Sequence, residues 1–201
     1  MRGAMEGGHG SGEMSRAGAT DRLLDRWKRI TVTECSPGRL AFAASLDDDA
    51  HQMELELLVE ESTGRVLSAR GQMPRVPYHD RCRAALPVLD RLVGHHIGPG
   101  STKEVFRLVG GPGGCTHVAE LVIDAFRAYV PSIGAKAIRQ WRDELTRDGC
   151  PADLLERKVQ ENVEAMGRAI LPDTCVVYAT NKVPASGAVD SSPVSGSGTG
   201  R

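Results

Sequence analysis

Five side chains, Asp49, His51, Cys82, Cys115 and His117, could bind a soft metal or carry out thiol chemistry, and each sits where one run of patterned residues gives way to another. Cys115 and His117 lie in "GGPGGCTHVAEL" (110–121), Cys82 in "YHDRC", and Asp49 and His51 in "DDDAHQMEL". Thiolate, imidazole and carboxylate are the usual ligands of zinc and iron, and thiolates also hold iron–sulfur clusters. The unpaired amides of a helix start favour an anionic sulfur, and flanking glycines let the backbone approach a bound group. Cys115 and His117, two apart, should point to different sides of a regular helix. No CxxC, HExxH or P-loop is present, and "GGPGG" lacks the lysine and serine of a phosphate cradle. Cys35, Cys150 and Cys175 sit by turns or in an apolar piece and read as structural, and His95 and His96 read as surface residues.

The elements that must position these groups follow from hydrophobic period. From Arg29 the period is two: Ile30 and Val32 alternate with threonines, "SPG" turns the chain, and Leu40, Phe42, Ala44 and Leu46 share a face. After "DDDA", Met53, Leu55, Leu57 and Val59 do the same, and "EESTG" leads into "RVLSARG". This predicts an antiparallel sheet of three or four strands with one wet face. Past Pro77 the pattern is helical. Ala85, Val88, Leu89 and Leu92 predict a helix broken or kinked at Pro87. Ser101 and Glu104 have capping-box spacing ahead of Val105, Leu108 and Val109. Val118, Leu121, Val122, Ala125 and Phe126 then mark a helix that begins at Cys115. Ile138, Trp141 and Leu145, then Leu155, Val159, Val163 and Met166, predict an antiparallel helical pair over 133–171, and "CVVYAT" reads as an edge strand. The fold class is therefore α+β, a small antiparallel sheet backed by helices.

The chain has 201 residues, 40% hydrophobic and 25% charged, with a formal net charge of −1, so one globular domain over 20–181 is expected and no bulk field gathers nucleic acid or anionic lipid. Residues 1–19 and 182–201, rich in Gly and Ser, read as disordered. No run reaches the roughly 20 apolar residues of a membrane span, and the start lacks the apolar stretch of a leader, which predicts a cytoplasmic protein. Five scattered cysteines do not form a secreted disulfide framework.

The stretches "DDDAHQMELELLVEESTGRVLSARG", "PYHDRCRAALPVLDRLVGHHIGPG" and "GGPGGCTHVAELVIDAF" resemble a bacterial domain-of-unknown-function family marked by a Gly-Cys-Thr-His-Leu motif, with Val118 in place of the leucine, over about residues 25–180. More distantly, the order of elements is similar to iron–sulfur cluster assembly scaffolds of the IscU and NifU N-terminal type. That likeness would put Asp49 where a scaffold cysteine stands, His51 where its aspartate stands, and Cys82 and Cys115 at its second and third cysteines. With two of three cysteines present, it implies a zinc or mononuclear iron ion, or an iron–sulfur cluster with mixed ligands, held by Asp49, His51, Cys82 and Cys115, with His117 as a further ligand or a supporting group. The leading expectation is a metal-binding or iron–sulfur-related scaffold, carrier or sensor. The alternatives are a thiol enzyme with Cys115 as nucleophile, and a non-catalytic protein whose C-terminal helices bind a protein partner or a second copy.

Overall fold

Where the sequence alternates apolar and polar side chains, the chain runs as four strands, β1 (Trp27–Ser36), β2 (Arg39–Asp47), β3 (Gln52–Glu60) and β4 (Val66–Arg75). They form one antiparallel sheet in the order β1-β2-β3-β4. The coordinates are a computed structural model that describes residues 22–174 and 176–180, so the two terminal segments and Cys175 lie outside the described residues. The chain divides into two compact units, Met1–Ser132 and Ile133–Arg201.

In the first unit, Leu40, Phe42, Ala44 and Leu46 of β2 and Met53, Leu55, Leu57 and Val59 of β3 are buried. Between them, Glu54 and Glu56 face solvent and pair with Gln72 and Arg70 across the wet face. Because the side-chain period of a strand is two, this register buries Met53, Leu55, Leu57 and Val59 together and leaves Leu58 half-exposed on the other face. The inner face is covered by a 3-10 helix over Leu86–Leu92 on β4 and by α3 (Thr116–Arg127) on β2 and β1, with α2 (Ser101–Val109) packed against both of these and the short α1 (His79–Arg83) beside β4. Val88, Leu89 and Leu92, then Val105 and Val109, then Val118, Leu121 and Val122 complete the core. Each such side chain contributes roughly 1.5–3 kcal/mol relative to leaving it exposed, which fixes α3 against β2 and β1.

Two local expectations are settled by the backbone. The chain is broken before Pro87 and not kinked at it: α1 ends at Arg83, and Pro87 sits in the first positions of the separate 3-10 helix, where its missing amide would have had no partner anyway. Nor does the capping box form. Gly100 takes the cap position at φ +85°, the Ser101 hydroxyl turns back to accept from the Gly98 amide at 2.7 Å, and Glu104 accepts from Arg107 at 2.5 Å.

The second unit holds most of α4 (Tyr129–Arg147) and all of α5 (Ala152–Ile170). They are antiparallel: Gly134 lies beside the Met166 methyl, and Arg142 donates twice to Glu156, at 3.0 Å each. Within this unit Val159 is the buried apolar side chain, while Ile138, Trp141 and Leu145 stay half-exposed. The expected edge strand near the end is instead a 3-10 turn, Val176–Tyr178. No helix among the described residues is long and apolar enough to cross a membrane.

Candidate functional site

The β2–β3 hairpin closes with Asp47 opposite Gln52, leaving residues 48–51 as the turn. Asp48 builds it. Its Oδ1 accepts from the amides of Ala50 (2.8 Å) and His51 (2.7 Å), and its own amide donates to the His51 carbonyl at 2.8 Å. An Asp at the head of a turn makes this pattern because its short carboxylate reaches the amides two and three residues on. The other oxygen, Oδ2, accepts from the Arg26 guanidinium at 2.7 Å, and the side chain is 1% exposed. Burial alone would raise this carboxyl; the Ala50 amide, the ring and amide of His51 and the Arg26 guanidinium outweigh it and hold Asp48 well below the usual carboxylate range.

The same carboxylate orients an imidazole. His51 Nδ1 lies 3.0 Å from Asp48 Oδ1. An ionised carboxylate only accepts, so Nδ1 carries the proton and Nε2 of a neutral ring keeps its lone pair. His117, in the first turn of α3, brings its ring to 4.2 Å from that of His51, centroid to centroid, tilted by 49°. Burial first, then the neighbouring His51 and Arg26, lower the His117 pKa against the opposing pull of Glu120 and Asp48, which favours the neutral ring. Lys28 ties β1 to the same helix, reaching Asp124 at 3.0 Å and Glu120 at 3.4 Å.

Cys115 leaves α3 in another direction. The chain ends α2 at Gly110, makes a 3-10 turn over Gly111–Gly113, and presses Gly114 so closely on the Val109 carbonyl that any Cβ there would overlap it. The Cys115 amide donates to that carbonyl at 2.9 Å, and its own carbonyl accepts from Ala119 at 3.0 Å. Cys115 is the N-cap, in extended conformation, and its side chain does not cap. Together with Cys82 of α1, Tyr78, Arg81 and Ala85, it lines a cavity of about 250 Å³.

The five expected residues are thus sorted into three places. His51 meets His117, Cys82 shares a cavity with Cys115, and Asp49 lies exposed in the turn, on a separate cavity of about 430 Å³ that also holds Asp47, Arg75 and Trp27. Among the described residues no three His, Cys, Asp or Glu side chains are gathered as a metal-ligand group. Asp48 and Arg26 are the site residues that sequence reasoning missed. The Asp-x-x-His spacing of 48–51 stands in the sequence, but which of the three aspartates heads the turn follows only from Asp47 pairing with Gln52.

Residues 33–130, from within β1 to the first residues of α4, match the model of a family described as "Protein of unknown function (DUF2889)". No curated protein and no solved structure matches the chain.

Proposed function

We propose that the chain is a metal-binding domain of the scaffold, carrier or sensor type, taking zinc or iron at the entry to α3. The observation that carries this reading is the imidazole pair: a buried, ionised Asp48 fixes the His51 tautomer and leaves Nε2 available beside His117, whose pKa burial lowers. Ligating histidines characteristically donate their other nitrogen to a carboxylate in this way, which fixes ring orientation and raises basicity. His51 and His117 would be the imidazole ligands; Cys115 and Cys82, which line a separate cavity, would serve as the softer donors on binding that draws the two places together. Asp49 drops behind Asp48, whose part is to orient and not to ligate. A bound zinc ion would supply a Lewis acid, and iron a redox centre or the anchor of an iron–sulfur cluster. The order of groups, β2–β3 turn, α1, then α3, is also the order that the likeness to cluster scaffolds implies.

The test is metal content and absorption of the full chain purified without oxygen or an affinity tag, beside His117→Ala and Cys115→Ser. Stoichiometric zinc or iron in the parent, lost in His117→Ala and reduced in Cys115→Ser with unchanged circular dichroism, is the expected result. Equal metal in all three, or none in the parent, rejects the reading.

A second reading draws on the helical pair. Two 19-residue helices with one buried apolar side chain in the second unit leave their apolar stripes half-exposed, as expected of a surface completed by a partner or a second copy. Light scattering on the full chain and on a chain lacking residues 134–170 tests it: self-association lost with the deletion supports it, and a monomeric parent that captures no second copy removes it.

A further inference from the structure

We infer that Cys82 and Cys115 are a redox-reactive pair that closes to an intramolecular disulfide by exchange with an anionic small-molecule disulfide of the glutathione type. The inference deepens the metal reading by naming its regulation, since closure removes both soft donors at once. Four observations carry it. The two cysteines come from separate elements, α1 and the α3 cap, and open on one cavity. Both are half-buried and free, and neither sulfur makes a hydrogen bond among the described residues, whereas the Cys35 and Cys150 thiols donate to the carbonyls of Arg39 (3.6 Å) and Pro151 (3.7 Å). The element that carries Cys82 is five residues long and buries none of them. Arg83 fastens it to the end of β4, donating to the carbonyls of Met73 (3.1 Å) and Pro74 (3.3 Å), and closure requires the two cysteine Cα atoms to stand about 4.4–6.8 Å apart. Lastly, Arg81 places a cation on the cavity wall, which favours a carboxylate-bearing disulfide over a cationic one.

The exchange balances as two displacements. The Cys115 thiolate attacks one sulfur of the small disulfide; that S–S bond breaks, and the leaving thiolate takes its electron pair and a proton from solvent. Cys82 then loses its proton to solvent and its thiolate attacks Cys115 Sγ, forming the protein disulfide and expelling the second small thiolate, which is protonated in turn. The two cysteines are oxidised by two electrons and the small disulfide is reduced to two thiols.

The experiment treats the reduced full chain with oxidised glutathione at about pH 8, near the ordinary thiol pKa, and maps peptides without reduction. Expected are a Cys82–Cys115 linked peptide in the parent, a glutathione mixed disulfide stalled on Cys115 in Cys82→Ser, and slower closure with the cationic disulfide cystamine. Mixed disulfides without the link, or coupling at Cys82 and Cys115 no faster than at Cys35 and Cys150, overturns the pair. Cystamine closing the pair as fast overturns the choice of an anionic disulfide. Metal content of the same reduced samples separates the two ideas: a link in protein that never held metal rejects the metal reading and leaves the pair standing, and metal without a link does the reverse.

Discussion

The two sides of the α3 start are built on opposite plans. On the imidazole side every strong group is committed: Asp48 accepts from two amides, a guanidinium and a ring, and is 1% exposed. On the thiol side the backbone is committed, through Gly114 and Cys115 on the Val109 carbonyl, while the sulfurs are left free. One side is set up to hold a geometry and the other to change its bonding. Both are anchored by a helix whose inner face is fully packed, so the difference lies in the side chains and not in the support.

The contrast breaks most visibly at Asp48. Asp48→Ala leaves Arg26 and two turn amides without their acceptor, and should cost about 3 kcal/mol in urea unfolding, the scale of a buried ion pair missing one partner. If it costs no more than a cysteine substitution on the other side, the distinction fails. Next comes Gly114→Ala, which forces a methyl onto a carbonyl and should cost about 2 kcal/mol by the same measurement. The pH dependence of stability is the third expectation. His117 has a folded pKa below its unfolded value, so the unfolded chain takes up the proton first and stability falls as pH drops below roughly 6.5. Asp48 also has a depressed folded pKa; its contribution is complete above an unfolded pKa of about 3.9 and is lost as pH falls below it toward the folded value. His117→Gln should remove the upper slope and keep the lower one. Smallest are Cys82→Ser and Cys115→Ser, each within about 0.5 kcal/mol of the parent, because no hydrogen bond is lost and serine is itself a good N-cap.

Much of the sheet was legible because period-two alternation is a direct record of which face is buried: Phe42, Leu55 and Leu57 lie where the pattern puts them. The start of α3 at Cys115 was legible for a similar reason, since glycines end one element just before a 3.6-period stripe begins. What the sequence hid is decided by geometry that residue types do not encode. In "DDD" three identical carboxylates compete, and only the hairpin register, Asp47 opposite Gln52, makes the middle one the head of the turn. Arg26 stands 22 residues from Asp48 and meets it through strand pairing alone. The Ser101 cap failed because Gly100 can adopt φ +85°, which takes the cap position before serine can. Cys82 and His51 looked like members of one group because both sit at element starts, yet at the start of α3 His51 meets His117 while Cys82 shares its cavity with Cys115.

Gly114 has a further meaning for how this chain can vary. Any side chain at that position collides with a carbonyl that belongs to the packed end of α2, so the site admits a single letter, and the distance between the α2 end and the thiol is frozen with it. Gly113, with open space around it, carries no such veto, whereas Gly111 at φ +64° is held to glycine by its backbone and not by contact. Sequence drift in the loop is therefore channelled into its outer residues, where it can retune access to the two thiols while the helix that presents them stays in place.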